Sequence, residues 1–312
     1  MENYLLSAPR YESMKYRRCG RSGILLPEIA LGFWHNFGEG RDYDQCKAIV
    51  EYSFDNGITH FDLANNYGPP AGSAETMFGR IFKDSLSCHR DEIIITSKAG
   101  HDMWPGPYGE WGSRKSLMAS IDQSLKRMQL DYVDIFYSHR PDPNTPLEET
   151  MQALVDIVRQ GKALYVGISK YPADMAQKAY DYLREAKVPC LAYQGKYSWL
   201  NREPEADILP QAKENGVGFV AFSSLAQGLL TGKYLNGIPD GSRMTVGKFL
   251  KKEMLTPEMM GKLNAFAKEA AENEMSMTQY ALKWVLRQPE VSSVIVGASS
   301  LEQMKANISY IL

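Results

Sequence analysis

The amino-acid sequence predicts an α/β protein whose parallel strands close into a barrel. Eight short runs rich in Val, Ile and Phe follow one another along the chain, and most intervals between them carry a helical pattern. The runs lack clean polar–apolar alternation, which is typical of parallel strands covered on both faces. Each run ends in polar or aromatic residues, where the reactive groups of such a barrel gather. Together these observations predict a (β/α)8 TIM barrel.

The first predicted element is an N-terminal β-hairpin over residues 16–27, which precedes the eight runs. Gly20 and Gly23 suit the tight turn that such a hairpin requires. We expect this hairpin to close the bottom of the barrel.

The eight predicted barrel strands follow in order along the chain. Their sequences are EIALG, THFDLA, EIIITSK, VDIFYSH, ALYVGIS, CLAYQG, GFVAFSS and VSSVIVG. They end near Trp34, Asp62, Lys98, His139, Ser169, Gln194, Ser223 and Gly297. Because the C-terminal ends of parallel barrel strands meet at one mouth, we expect these residues to share it.

Three of the intervening helices carry N-terminal signals. Residues 145–148 (TPLE) predict a capping box with proline at the first helical position, and Gly161 is expected to end that helix. Ser113 is expected to cap the preceding helix, and Thr256, followed by proline, to cap one near the C-terminus.

The organisation along the chain predicts a single domain over residues 1–312, with no internal boundary. Two loops, 101–112 and 232–255, are longer than ordinary connections, and long ordered loops on such a scaffold usually carry function. The N-terminus lacks the apolar core of a signal peptide, and no run approaches membrane-spanning length. These features predict a cytoplasmic protein.

The composition excludes several classes of partner. Apolar residues make up 44% and charged residues 23% of the chain, as in ordinary globular proteins. The formal net charge of −2 gives no reason to expect a nucleic acid or a membrane surface as partner. The four cysteines form no C-x-x-C pair, so neither a zinc site nor a disulfide framework is predicted.

Four residues predicted at the mouth form a candidate catalytic set. Asp62, Lys98 and His139 end three successive strands, and Tyr67 follows Asp62 by five residues. Taken singly, each has an ordinary structural interpretation, such as a helix cap, a turn residue, a surface lysine or a satisfied histidine. Their shared position at one end of successive strands favours a common site, because independent structural roles would not place them together.

These residue types suit the reduction of a carbonyl group without a metal. A tyrosine hydroxyl has a reference pKa near 10. A lysine ammonium nearby is expected to lower that pKa by roughly 1–3 units, towards working pH. Asp62 would hold Lys98 charged, and neutral His139 would orient the carbonyl. Tyr67 would then donate a proton to the carbonyl oxygen as hydride reaches the carbon.

The hydride must come from a cofactor, since no side chain supplies one. The run GVGFVA at 216–221 precedes a strand instead of following one, so it is not interpreted as a dinucleotide-binding loop. Better candidates lie at strand ends. Ser169 and Gln194 are expected to bind a carboxamide, and Tyr197 to stack on a nicotinamide ring.

Two segments are candidates for binding the cofactor's phosphates. Residues 223–234 offer hydroxyls, glycines for close approach and Lys233. Residues 297–307 open a helix whose N-terminus can hold phosphate. Ser299, Gln303 and Asn307 are four residues apart and so share one helical face, and simple capping with solvated Gln303 and Asn307 side chains is the alternative interpretation.

With these residues in hand, the chain resembles the aldo-keto reductases from about residue 15 to its end. The motifs that carry the resemblance are GITHFDLANNYG, ITSKAG, VDIFYSHR, ALYVGIS, FSSLAQGLLTGKY and IVGASSLEQ. Within that superfamily it is most similar to the bacterial L-glyceraldehyde-3-phosphate reductases, which also reduce methylglyoxal, in the segments NYGPPAGSAE, KAGHDMWPGPYG and YLNGIPDGSRM. In RPDPNTPLEET it is also similar to potassium-channel β subunits.

The resemblance implies a catalytic tetrad of Asp62, Tyr67, Lys98 and His139, with Tyr67 as the acid. It also implies NADP(H) lying extended over the mouth, with Lys233 and Arg243 against the 2′-phosphate that distinguishes NADP from NAD. With the strand-end candidates, the expected cofactor contacts are Trp34, Asp62, Ser169, Gln194, Tyr197, Ser223, Leu225, Gln227, Gly228, Lys233, Arg243, Gly297, Ser299, Gln303 and Asn307. The expected substrate contacts are Trp34, Tyr67, Trp104, Tyr108 and His139.

The chain departs from the pattern of many relatives at three positions outside the tetrad. Lys170 stands where asparagine is common, which removes a carboxamide contact. Ser224 replaces a common proline, and Ala306 replaces a glutamate that contacts adenine, which weakens that contact. The channel-type relatives lack the tetrad histidine, so His139 favours real turnover here.

Three hypotheses for function remain at this point. The leading one is an NADPH-dependent reductase of small aldehydes, with L-glyceraldehyde 3-phosphate or methylglyoxal as candidate substrate and Arg114 and Arg140 as speculative phosphate ligands. The second is a slow redox-sensing nicotinamide-binding subunit that docks on a partner protein. The third is a metal-dependent hydrolase drawing on His60, Asp62, His101 and His139, for which too few further ligands converge. The resemblance also implies a homo-oligomer, either a tetramer or an octamer.

Overall fold

The fold in the computed structural model is a closed barrel of eight parallel strands, and the structure describes residues 9–240, 242–246 and 250–309. Within those ranges the side chains of Arg243 and Val246 are not described. The strands are β1 (Tyr16–Arg18), β2 (Leu25–Pro27), β3 (Ile29–Gly32), β4 (His60–Asp62), β5 (Ile94–Ala99), β6 (Val133–Ser138), β7 (Ala163–Ser169), β8 (Cys190–Lys196), β9 (Gly218–Phe222) and β10 (Val291–Val296).

Helices alternate with the barrel strands. They are α1 (Arg10–Ser13), α2 (Tyr43–Asp55), α3 (Ser73–Ile81), α4 (Arg114–Met128), α5 (Leu147–Arg159), α6 (Ala173–Glu185), α7 (Ile208–Asn215), α8 (Arg243–Val246), α9 (Pro257–Glu272), α10 (Met277–Leu286) and α11 (Leu301–Ile308). A π-helical turn, Phe82–Leu86, extends α3, and 3-10 turns occupy Ser87–Glu92, Glu203–Glu205, Ala226–Thr231 and Lys252–Met254.

The strands follow chain order around the barrel, from β3 to β10, and β10 pairs with β3 to close it. This confirms the predicted (β/α)8 architecture. The longest interval between strands, from β9 to β10, holds two full helices, α9 and α10. The loop that precedes α9 has its own apolar cluster, in which Leu230 and Tyr234 pack with Phe266.

The predicted hairpin is present as the antiparallel pair β1 and β2. Its turn lies against the chain that enters β9, and the backbone N–H of Arg21 donates to the carbonyl of Gly216 at 2.9 Å. Gly20, with φ of +56°, approaches so closely that a Cβ there would lie 2.1 Å from the Gly216 oxygen. The hairpin therefore closes the N-terminal end of the barrel and leaves the C-terminal end open.

Two of the three predicted helix caps are confirmed. Ser113 Oγ accepts from the Ser116 N–H at the start of α4, and Thr256 caps α9 ahead of its proline. The predicted capping box at residues 145–148 is wrong, since Pro146 occupies the N-cap position and no side chain caps α5. Asp142 Oδ1 accepts from the backbone N–H of Thr145, which holds that residue in the preceding turn.

Strand register brings the polar strand ends to one level. Asp62 of β4 lies beside Thr96 of β5, and Ser169 of β7 beside Gln194 of β8. These strand ends lie at the open end of the barrel, where the predicted site residues are expected.

Among the described residues, no helix is long and apolar enough to cross a bilayer.

Candidate active site

A cavity of about 530 Å³ lies at the C-terminal ends of the barrel strands. Most of the sequence-predicted residues line it: Trp34, Asp62, Tyr67, His139, Ser169, Gln194, Ser223, Leu225, Gln227, Gly228, Lys233, Gly297 and Gln303. These residues come from the ends of seven different strands or the loops that follow them, so the fold brings together positions that are far apart in the sequence.

The floor of the cavity holds a buried ion pair between β4 and β5. Lys98 Nζ lies 2.7 Å from Asp62 Oδ2 and 2.5 Å from the carbonyl oxygen of Leu63. The other carboxylate oxygen accepts from Thr96 Oγ1 at 2.8 Å and from Gln194 Nε2 at 2.9 Å. Asp62 is thus saturated with donors, which is how a charged group becomes tolerable in a low-dielectric interior.

Burial lowers the pKa of Lys98, and the attraction of Asp62 opposes that shift. Both charged side chains are buried, with exposures of 0% for Lys98 and 2% for Asp62. The ammonium is held directly beneath Tyr67, 5.0 Å from the centre of its ring.

The Tyr67 phenol lines the cavity, but its acidity differs from the sequence prediction. Burial first, and then the negative charge of Asp62, raise the pKa of Tyr67 well above its ordinary value. The prediction that Lys98 lowers this pKa by 1–3 units is therefore wrong for the protein without bound ligand. The ammonium of Lys98 is already engaged by Asp62 and Leu63, so desolvation dominates. Tyr67 is a protonated phenol at neutral pH.

His139 directly follows β6 and is held by its backbone N–H, which donates to the Ala99 carbonyl at 2.9 Å. Its ring meets the ring of Tyr67 edge-on, with centroids 5.8 Å apart. Burial, reinforced by the positive charge of Lys98, lowers the pKa of His139 well below its ordinary value. The imidazole is therefore neutral, as the sequence analysis expects, and one of its nitrogens can donate a hydrogen bond while the other accepts.

The residues at the nicotinamide end of the expected cofactor site fit an amide-bearing ligand. Ser169 lines the cavity, and its Oγ is buried without a hydrogen-bond partner among the described residues. A buried hydroxyl of this kind is rare unless a ligand or water completes it. Gln194 commits one amide hydrogen to Asp62, so it contributes to the floor as well as to the cavity wall.

The loop after β9 brings several of the expected cofactor contacts to the cavity. Ser223, Ala226, Gln227 and Gly228 all have positive φ values, between +47° and +101°. Two backbone hydrogen bonds close this turn, from the Ala226 N–H to the Ser223 carbonyl and from the Gly228 N–H to the Leu225 carbonyl, both at 2.8 Å. A Cβ on Gly228 would lie 2.9 Å from Lys233 Nζ, so the glycine lets that cation approach the loop.

The start of α11 agrees only in part with the prediction. Gln303 lines the cavity, and its Oε1 accepts from both the backbone N–H and the hydroxyl of Ser299, at 2.7 and 2.9 Å. Asn307 is not part of the cavity lining, and its side chain is 3% exposed with an Nδ2 that has no hydrogen-bond partner among the described residues. Of Ser299, Gln303 and Asn307, Gln303 is the one that lines the cavity.

Tyr197 does not reach the cavity, so the structure does not support its predicted stacking on nicotinamide. Its ring is fully buried in the core, with centroids 6.2 Å from Phe219 and 5.5 Å from Trp284. Its hydroxyl donates to Glu205 at 2.7 Å, which turns the phenol outward beneath α10.

Two predicted substrate contacts, Trp104 and Tyr108, are likewise absent from the cavity lining. The loop that carries them folds back on itself, since the Met103 N–H donates to the Gly109 carbonyl at 2.9 Å. That closure turns Tyr108 outward, where it is 54% exposed and lies beneath the ammonium of Lys115.

The speculative phosphate ligands Arg114 and Arg140 are already bound to carboxylates. Arg114 pairs with Asp156, and Arg140 pairs with Glu110 while stacking on the ring of Trp111. Both arginines therefore have structural roles. The side chain of Arg243, the second predicted partner of a 2′-phosphate, lies outside the described residues.

Further residues that were not predicted as site residues line the cavity, among them His101, Lys170 and Lys196. Lys170 Nζ lies 3.3 Å from His101 Nε2, and the His101 ring lies edge-on to His139 with centroids 4.5 Å apart. The available signal was the position of each residue just past a predicted strand end.

The ligand set of a metal-dependent hydrolase does not form. His60 lies inside the barrel with no exposed surface and does not line the cavity, although His101 and His139 do. Over the part of the chain that the structure describes, no three His, Cys, Asp or Glu side chains are grouped so that they could hold a metal ion.

Comparison with known proteins agrees with this geometry. Residues 28–312 match the aldo/keto reductase family. L-glyceraldehyde 3-phosphate reductase of Escherichia coli strain K12 is 53% identical over 310 residues, covering 98% of this chain and 90% of that protein. A putative voltage-gated potassium channel subunit beta of Schizosaccharomyces pombe is 36% identical over 308 residues, covering 95% and 88%. A probable one of Oryza sativa subsp. japonica is 34% identical over 302 residues, covering 95% and 90%. The chain belongs to the aldo/keto reductase family of oxidoreductases.

Proposed function

We propose that this protein reduces small aldehydes to alcohols with NADPH, and that Tyr67 supplies the proton. The observation that carries the proposal is that Tyr67 and neutral His139 meet edge-on at one cavity, directly above the buried pair of Lys98 and Asp62. The phenol and the neutral imidazole can each donate a hydrogen bond to a carbonyl oxygen that gains negative charge. The cation beneath the phenol favours the same negative charge.

The residues of the cavity fit a nicotinamide dinucleotide. A bound nicotinamide would supply the hydride, which no side chain can provide. Ser169 offers the unpartnered hydroxyl for a carboxamide, and the loop at 223–228 lines the cavity with Ser223 and Gln227, whose side chains can bind phosphate oxygens. Lys233, beside that loop, is the proposed partner of the 2′-phosphate of NADPH.

The side chains divide the chemical work. Tyr67 stays protonated until the carbonyl oxygen becomes basic, and then hands over its proton. The cation of Lys98 stabilises the phenolate that is left, since opposite charges attract strongly in a water-poor site. Asp62 fixes Lys98 in place. His139 donates a hydrogen bond to the carbonyl oxygen and so orients the substrate.

Candidate substrates are L-glyceraldehyde 3-phosphate and methylglyoxal. The first is supported by the printed name of a relative that is 53% identical over nearly the whole chain. Both are small, in keeping with a cavity that must also hold part of a dinucleotide. We also expect a cytoplasmic homo-oligomer, either a tetramer or an octamer.

A substrate panel with NADPH and NADH tests this function. Oxidation of the reduced cofactor, followed at its absorbance band, is expected with both candidate aldehydes and to be faster with NADPH. No oxidation with any aldehyde would refute the proposed reaction. If NADPH were then retained through gel filtration, the second candidate would be favoured, a slow redox-sensing subunit. That candidate is motivated by the relatives named as potassium channel subunits beta.

A further inference from the structure

Lys170 occupies an unusual backbone position at the rim of the cavity. It directly follows β7 and has φ of +62°, a left-handed conformation that non-glycine residues seldom adopt. Its backbone N–H donates to the Gln194 carbonyl at 3.2 Å, which ties the strained residue to the neighbouring strand. Strain of this kind persists where the surrounding structure fixes it, and it clusters at functional sites.

The side chain of Lys170 is directed towards the reacting end of the cavity. Its Nζ lies 3.3 Å from His101 Nε2, and the ring of His101 packs edge-on against that of His139 at 4.5 Å. The ring of His101 therefore lies between the ammonium of Lys170 and the imidazole of His139, which is proposed to bind the carbonyl. The flexible four-carbon stem of lysine lets the ammonium move over the space between them.

The charges around this point favour an anion. The charged residues that line the described cavity are Asp62, Lys170, Lys196 and Lys233. The single carboxylate is neutralised by Lys98, so the remaining charge on the wall is positive. Burial, together with the positive charges of Lys98 and Arg140, lowers the pKa of Lys170 to about 8. A cation destabilised by other cations gains most when an anion arrives.

Other cations nearby already have partners. Arg140 is paired with Glu110 and Arg114 with Asp156, so neither meets an anion in this cavity without breaking an ion pair. Lys233 lies by the loop at 223–228, where the phosphates of the proposed cofactor are expected. Lys170 is the lysine beside His101 and His139, on the substrate side.

We propose that Lys170 and His101 form an anion subsite that binds the phosphate group of a phosphorylated aldehyde while its carbonyl lies against Tyr67 and His139. This deepens the proposed function and rests on it. The ammonium supplies charge, and His101, neutral because burial lowers its pKa to about 4, supplies one N–H donor from Nδ1, since its Nε2 faces the ammonium of Lys170. The subsite makes a phosphorylated triose a better substrate than the same triose without phosphate.

The kinetic test compares L-glyceraldehyde 3-phosphate with L-glyceraldehyde, which differ only in the phosphate. In Lys170→Met, the ratio of their kcat/KM values is expected to fall about tenfold to hundredfold, because one charge-assisted contact is lost. Lys170→Arg keeps the charge and should retain most of the ratio. Lys196→Met removes the same charge from the same wall without touching His101, so its ratio should change much less. An equal loss on both substrates, or a rise in KM for NADPH alone, would overturn the subsite.

A binding experiment tests the proposed subsite independently of the proposed reaction. Glycerol 3-phosphate and glycerol are titrated calorimetrically into the NADPH-loaded protein, where both partners are already reduced and cannot react. Glycerol 3-phosphate should bind about tenfold or more weakly to Lys170→Met than to wild type, whether or not the wild type reduces either aldehyde. Equal affinity of wild type and variant for glycerol 3-phosphate would refute the subsite.

Discussion

The ammonium of Lys98 lies 2.7 Å from the carboxylate of Asp62, and neither side chain has more than 2% exposure. Each charge is therefore tolerable only because the other is present. The pair places a cation under the ring of Tyr67 without leaving a net buried charge. The stability of the fold and the proposed chemistry thus both depend on the ion pair between Lys98 and Asp62.

Removing one member of this pair should destabilise the fold. Asp62→Asn leaves Lys98 buried without its carboxylate, and we expect a loss of about 3–5 kcal/mol in the free energy of unfolding, measured by urea denaturation. The double variant Asp62→Leu with Lys98→Met removes both charges and should recover most of that loss while remaining inactive. A double variant as unstable as Asp62→Asn would contradict this account of the pair.

His60 should make the protein sensitive to acid. Neither ring nitrogen has a hydrogen-bond partner among the described residues, and burial lowers the pKa of His60 to about 4. An unfolded histidine titrates near 6.5, so the stabilising effect of its neutral form is complete above that pH and is lost as pH falls towards 4. Between pH 8 and 5.5 this residue alone should cost about 1–1.5 kcal/mol of stability.

The matching measurement compares the urea unfolding of wild type and His60→Leu at those two pH values. The variant should lose about 1–1.5 kcal/mol less than wild type over the interval. Identical losses would mean that His60 is not held neutral in the folded state.

The preference for a phosphorylated substrate should depend on pH. Lys170, with a pKa of about 8, is charged below that value and neutral above it. The groups that face it are His101, Lys98 and Arg140, the last paired with Glu110. Since His101 is neutral throughout this range, Lys170 is the group whose charge changes.

The kcat/KM for glyceraldehyde 3-phosphate should therefore fall as pH rises through about 8, while that for glyceraldehyde stays flat. The range from pH 7 to 9.5 suits the measurement, because a phosphate monoester is already mostly a dianion there. The same decline for both substrates would assign the titration to another group.

Lys233 should discriminate between the two nicotinamide cofactors. In Lys233→Met the KM for NADPH is expected to rise about tenfold or more, because a charge-assisted phosphate contact is lost. The KM for NADH, which lacks the 2′-phosphate, should stay within about twofold and serves as the internal control. Equal changes with both cofactors would place Lys233 away from the 2′-phosphate.

The barrel and the positions of the four central residues could be predicted from the sequence because both follow from local patterns. A short apolar run that ends in a polar residue marks the C-terminal end of a parallel strand, as at Asp62 and Lys98. Cavity-lining positions such as Ser169 and Gln194 follow from the same rule.

What could not be predicted depends on contacts between distant parts of the chain. Tyr197 is drawn into the core by Trp284 of α10, and the closure of the 103–109 loop turns Tyr108 outward. The acidity of Tyr67 is another case, because the effect of Lys98 depends on how fully Asp62 and Leu63 already engage its ammonium. Sequence spacing contains no information on that competition.

The proton-donating role of Tyr67 is tested most directly by a single turnover of Tyr67→Phe. The measurement is the rate of NADPH oxidation with saturating methylglyoxal, beside the affinity for NADPH from its fluorescence. A fall of about 10²–10⁴ in the rate, with NADPH affinity unchanged within about twofold, is the expected result. A variant that oxidises NADPH within about twofold of the wild-type rate would contradict the assignment of Tyr67 as the acid.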